Sequence, residues 1–283
     1  MHAPPADSPS RTSASQVTPL VRSPAYVSTR LRHLGLDDAV ANETARVVKV
    51  HAFGPGTKMW SKGGEVPFWR YIIEGLVAAS MPTTTCASTP ISIYGKGAWF
   101  GEQSIINRKP SFADYVCLTE TQVLSLPAAR FDTLFEQQPE FARHVAKLMA
   151  WRAQKTSETL TLMKLGNPAM RVVMGLAQFA EALAYRSERP PTIGFGDGVE
   201  LPVAQNTLAA LCGVSRTLFS EYVQQLAQRE WLALSYGRLE IMNIATWHRF
   251  ARRQRENSFN ALNPTITELL DLMAQLGEMR DPD

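Results

Sequence analysis

The spacing of hydrophobic residues changes twice along the 283-residue chain, and each change predicts a different architecture. Residues 50–126 carry short alternating or β-rich runs at 69–73, 91–94 and 115–118, divided by glycines 54, 56, 63, 64, 75, 95, 97 and 101. Alternation broken by turns predicts strands, and many short strands predict a compact barrel, roll or sandwich. Pro127 ends this block. Over 141–165 the spacing becomes helical. Val145, Met149, Arg152, Thr156, Thr159 and Met163 recur at intervals of four and three, a heptad-like stripe with apolar ends and a polar middle. Such a stripe suits two helices meeting across a dimer axis beside a polar ligand, and it predicts a dimer interface on those residues.

Gly166-Asn167-Pro168 breaks this helix and starts another, with Asn167 as N-cap and Pro168 in the first position, a plausible hinge. Residues 201–231 read as a helix, the turn Cys212-Gly213-Val214, and a second helix capped by Ser215. Leu208, Cys212, Val214, Phe219 and Tyr222 supply the apolar positions. Small Ala209 permits close approach, and Gly213 suits a left-handed turn. A helix-turn-helix of this kind places its second helix in a DNA major groove. The alternative left by these residues is a plain helical hairpin. Residues 231–234 and 239–242, joined by Ser235-Tyr236-Gly237-Arg238, read as a wing hairpin. Thr265-Ile266-Thr267-Glu268 forms a capping box. It opens a last helix whose apolar face, Ile266, Leu269, Leu270, Met273 and Leu276, is expected to pack on the protein or on a partner subunit. The expected organisation is α+β: a disordered leader at 1–28, a sensor roll at 29–138, a dimerisation helix at 139–166, and a winged helix-turn-helix with a helical extension at 167–283.

Composition narrows the class. A 45% hydrophobic content is that of a globular protein. No run of about 18 apolar residues predicts a membrane span, and residues 1–28 lack the apolar core of a secretory signal. A cytoplasmic protein without membrane contact is expected. Net charge is only +3, but its distribution is uneven. No lysine follows Lys164, and Arg249, Arg252, Arg253 and Arg255 cluster beyond the wing. Arginine bridges phosphates or reads guanine, although a solvated helix face explains the cluster equally well. Cysteines 86, 117 and 212 form no paired motif and are read as buried thiols, with neither an iron–sulfur nor a zinc site. Five histidines are scattered, and no nucleophile elbow, Walker loop or carboxylate dyad is present. No catalytic residue, no metal ligand and no certain cofactor is expected. A haem sensor lacks any recognisable ligand pair.

Roll, long helix, hinge and winged helix-turn-helix, in that order, resemble the CRP/FNR family of bacterial transcription regulators over about residues 50–246. Trp99-Phe100-Gly101-Glu102 resembles the entry to that family's phosphate-binding cassette. The string from Arg152 through Thr156, Ser157 and Glu158 resembles its long helix. The helix-turn-helix with its Tyr236-Gly237-Arg238 wing is the third motif. The resemblance implies a cyclic-nucleotide-binding-like β-roll, a homodimer, double-stranded DNA and RNA polymerase as partners, and an effector-driven swing at Asn167. It assigns the effector to Gly101, Glu102, Ser111, Arg152, Thr156 and Ser157, with Glu102 on the ribose and Thr156-Ser157 on the purine. One position departs from the family. Lys109-Pro110-Ser111-Phe112-Ala113 puts Ser111 where the family's phosphate-gripping arginine stands, and Phe112 where its serine stands. A buried phosphate needs a charge-assisted partner. The expectation is therefore cyclic-di-GMP, another effector or none, with dependence on cyclic AMP as the alternative. Ser215, Arg216, Thr217, Ser220, Glu221 and the wing's Arg238 are the expected DNA contacts. Arg216 matches the family's guanine-reading arginine, Thr217 replaces a glutamate, and Glu221 replaces a second arginine. The reading from a different class is a ligand-binding or interaction module that does not bind DNA.

Overall fold

The computed structural model describes residues 23–82, 89–184, 199–201, 203–235, 238–257 and 263–278. Helix α1 (Pro24–Arg32) begins inside the stretch expected to be a disordered leader, so that boundary moves back to Ser23. The signal is local: Ser23 Oγ accepts from the Tyr26 amide at 3.2 Å, and Pro24 opens the first turn. Residues 1–22 lie outside the described residues. Helix α2 (Asp38–Ala45), capped by Asp37, packs on α1.

The roll follows as β1 (Lys49–Phe53), β2 (Lys58–Trp60), β3 (Phe68–Glu74), β4 (Val77–Met81), β5 (Thr89–Tyr94), β6 (Trp99–Phe100), the short helix α3 (Glu102–Asn107), β7 (Asp114–Cys117) and β8 (Thr121–Pro127). Two four-stranded sheets, β1-β8-β3-β6 and β2-β7-β4-β5, face each other. Their shared core includes Ile72, Val77, Phe100, Tyr115 and Val123. Gly75 makes the tight β3–β4 turn at φ 94°, where a Cβ would lie 2.3 Å from the Glu120 carbonyl oxygen. No other residue fits there.

Helices α4 (Ala128–Gln137) and α5 (Pro139–Leu165) close the roll, and Phe131, Phe141 and Val145 pack with Trp69. After the break come α6 (Pro168–Ala184), β9 (Val199–Leu201), α7 (Gln205–Leu211), α8 (Arg216–Gln228), β10 (Leu232–Ser235), β11 (Arg238–Ile241), α9 (Ile244–Glu256) and α10 (Ile266–Glu278). The expected wing is the β10–β11 hairpin, and β9 adds a third strand that spacing did not reveal. The loop expected at 190–197, the turn residues Tyr236-Gly237 and Cys86 lie outside the described residues. Helix α10 buries Leu269, Leu270, Met273 and Leu276 on this chain's own α9 and α6. Its capping box is formed, with the Glu268 amide donating to Thr265 Oγ1 at 3.2 Å and the Thr265 amide donating to Glu268 Oε2 at 2.6 Å. Leu76, Ile93 and Leu118 of the roll join the winged domain's core, so the two halves are packed together.

Candidate nucleic-acid interface and effector site

The helix-turn-helix is built by short-range chemistry. Ser215 Oγ accepts from the Leu218 amide at 3.3 Å and starts α8. Gly213 takes φ 63°, and the Val214 amide donates to the Ala209 carbonyl at 3.1 Å, which closes the turn. A Cβ on Gly213 would stand 2.8 Å from Met163 Sδ, so the turn rests directly on the end of the long helix. Phe219, Val223 and Leu226 anchor α8 from within. Ser215, Arg216, Thr217 and Glu221 are exposed on the opposite side, and Ser220 is half-buried. Five of the six residues expected at DNA are thus gathered on the first two turns of one helix. Arg238 opens β11 opposite Ser235.

The expected effector residues divide. Gly101 adopts φ 106° ahead of α3, where a Cβ would crowd the Phe68 carbonyl oxygen at 3.1 Å. Glu102 is 2% exposed, accepts from Trp69 Nε1 at 2.9 Å and pairs with the Arg152 guanidinium. Arg152 also donates to the Trp99 carbonyl and lies over the Tyr94 ring at 5.6 Å. These contacts fasten α5 to the roll. Ser111 is buried but committed to its own loop. Its Oγ donates to the Ala113 carbonyl at 2.7 Å, and its backbone exchanges hydrogen bonds with Gly63 and Gly64. Arg108 points away to Asp132 at 3.3 Å, with a side chain 72% exposed. Thr156 and Ser157 are exposed, and Ser157 Oγ donates to the Ala153 carbonyl at 3.0 Å. Gly101, Glu102 and Arg152 come together; Ser111, Thr156 and Ser157 do not join them through any hydrogen bond among the described residues.

Part of the expected dimer stripe is covered by its own chain, while Thr156 is exposed and Thr159 half-buried. Val145 is fully buried in the roll's core, and Met149 packs against that core. Arg152 is held by Glu102, and Met163 faces Gly213. Apolar residues stand at these positions because their own chain covers them. An exposed stripe lies one residue further on: Ala146, Ala150, Ala153, Ser157, Leu160 and Lys164, at the same four-and-three spacing, and Trp151 beside it is 54% exposed. Leu160 is 52% exposed. Hydropathy scarcely marks a face of alanine and serine, and the run of small residues was the signal available.

Sequence reasoning also missed two ties between the long helix, the hinge and the C-terminal extension. Glu158 of α5 is buried, accepts from Lys155 Nζ at 3.0 Å, and lies 3.7 Å from Arg255 Nε of α9. Asn167 caps α6 through Oδ1, accepting from the Met170 amide at 2.9 Å, while its Nδ2 donates to the Pro264 carbonyl at 2.7 Å.

Residues 50–138 match the family described as cyclic nucleotide-binding domain. The chain is 21% identical over 185 residues to the cAMP-activated global transcriptional regulator CRP of Salmonella typhimurium, covering 65% of this chain and 85% of that one. Its fold is that of FixK2 from Bradyrhizobium japonicum, with a TM-score of 0.58 at 13% identity over 77% of this chain and 98% of that one. It is equally that of the c-di-GMP responsive global regulator CLP from Xanthomonas campestris, with a TM-score of 0.56 at 16% identity over 73% of this chain and 100% of that one. Among the described residues, no helix is long and apolar enough to cross a membrane, and no cluster of His, Cys, Asp or Glu could hold a metal ion.

Proposed function

We propose that this chain, a CRP/FNR-type regulator by domain and fold, is a homodimeric transcription regulator that reads a palindromic DNA site with α8. The observation that carries the reading is the exposed, uncovered row of Ser215, Arg216, Thr217 and Glu221 on a helix capped and anchored from behind. Two such helices enter successive major grooves about 34 Å apart. Arg216 presents a planar fork to guanine O6 and N7, and Thr217 and Glu221 set a preference beside it that differs from the family's. Selection of genomic fragments followed by mobility shifts tests this. Arg216→Ala should cost about 1–3 kcal/mol and relax one base position. Equal weakening on every sequence would reduce Arg216 to a phosphate contact. Absence of any salt-sensitive, selective shift would favour an interaction module.

The dimer axis runs along the exposed Ala146–Ala150–Ala153–Ser157–Leu160 face, whose small side chains allow close helix approach. Effector control passes through the Glu102–Arg152 junction between roll and long helix. Where the family's phosphate-gripping arginine stands, a cyclic phosphate would meet Ser111, already bonded to Ala113, and the nearby Arg152 is already paired with Glu102. Cyclic AMP is therefore not the effector held in the family's manner. Titration calorimetry with cyclic AMP and cyclic-di-GMP tests the point, and micromolar cyclic AMP binding would overturn it. RNA polymerase is the protein partner at the promoter.

A further inference from the structure

One face of β1, β8 and β3 collects basic side chains away from the Glu102 junction, running from exposed Lys49 to buried Arg70. Lys49 and Arg70 sit in register on either side of Ser125, so the three share one face of the sheet. His51, two residues along from Lys49, also shares it, with Nδ1 at 2.8 Å from Ser125 Oγ. Arg70 is only 5% exposed. Its guanidinium carbon stands 4.7 Å from the ring centre of Trp60, 5.1 Å from that of Phe53 and 5.7 Å from that of Phe68. Burial lowers its pKa to about 10, which leaves it charged at neutral pH.

Aromatic faces attract a cation but accept none of its N–H groups in line. Arg70 Nε and Nη1 are buried without an acceptor, and so is the indole Nε1 of Trp60, the ring lying against that same guanidinium. Among the described residues, no carboxylate forms an ion pair with Arg70. Native interiors leave few buried donors unanswered, and a charged one is the costliest to leave so. Two neighbouring residues with unanswered donors, flanked by Lys49 and His51, call for an acceptor carrying several oxygens and negative charge.

We propose that Arg70 and Trp60 form a binding site for a phosphate group, bordered by His51 and Ser125 and lying beside the half-exposed His51 and Phe68 rings. The site backs onto the cassette without sharing its polar groups, since the Trp60 ring edge lies 3.5 Å from where a Cβ on Gly101 would stand. Trp60 stands between Arg70 and the cassette side, where it meets Phe100 at 5.5 Å and Tyr115 at 4.9 Å. Glu102 lies across β3, bonded to Trp69. The inference does not depend on DNA binding. A phosphate here would bridge β3 to β1 and stiffen the roll from within.

The test uses the full chain at constant ionic strength, with inorganic phosphate, AMP and a sodium chloride control, followed by calorimetry and thermal unfolding. Saturable phosphate binding that raises the unfolding midpoint is expected, with Arg70→Met weakening it at least about tenfold. Arg70→Lys, which keeps the charge and loses the fork, should fall between the two and serves if the methionine variant does not fold. Binding of AMP through Arg70 would identify a nucleotide as the source of the phosphate; binding of phosphate alone would identify the free ion. No saturable binding, or equal affinity in wild type and both variants, overturns the proposal.

Discussion

Gly213 carries two constraints at once. Its φ of 63° is poorly tolerated by residues with a Cβ, and Met163 of the long helix occupies the space a Cβ would need. Gly213→Ala is expected to destabilise the winged half by about 1–3 kcal/mol from backbone strain, before any clash is counted. Met163→Ala in the same chain should recover only the steric part. Urea unfolding of both variants separates the two, and an unchanged midpoint in the single variant would refute the account. The need for glycine was legible in the sequence as a turn. Its second reason was not, because Met163 is fifty residues away along the chain.

At the scale of elements, legibility followed the range of the interactions. The caps at Ser215 and Asn167, the capping box at Thr265–Glu268 and the alternation of the roll are local chemistry, and each element formed where that chemistry pointed. Helix α5 showed the limit. A heptad of apolar residues says that something covers them, without saying whether it is the chain's own roll or a second copy. Val145 answers to the roll, and the alanine row beside it is exposed. The dimer contact assigned to that face makes a sharp distinction. Leu160→Glu should convert dimer to monomer in sedimentation while leaving roll stability within about 0.5 kcal/mol, because the side chain is exposed within the single chain. A variant that stays dimeric would move the interface elsewhere. Arg70 was passed over for a related reason: a lone arginine in a strand looks ordinary until Phe53 and Trp60 of other strands join neighbouring Phe68 around it.

Across the whole molecule, long helix, hinge and C-terminal extension are linked side chain by side chain. Glu158 lies close to Arg255, Asn167 holds Pro264, and Leu76, Ile93 and Leu118 seat the winged half on the roll. Asn167 permits a clean dissection, since its oxygen caps α6 and its nitrogen holds the tail. Asn167→Asp keeps an acceptor for the Met170 amide and loses the donor to Pro264. Faster amide exchange in α10 is expected, with α6 protection retained. Asn167→Ala should lose both, the cap alone being worth about 1 kcal/mol. Equal exchange in α10 for wild type and Asn167→Asp would show that the tether carries no stability.

The bond from Asn167 to Pro264 has a practical corollary. The swing proposed at this break would pass first to Pro264, remote in sequence from both α8 and the Glu102–Arg152 junction. A fluorophore attached beyond α10 is then expected to report the proposed swing, and a bulky fusion at the same place is expected to load the hinge like ballast.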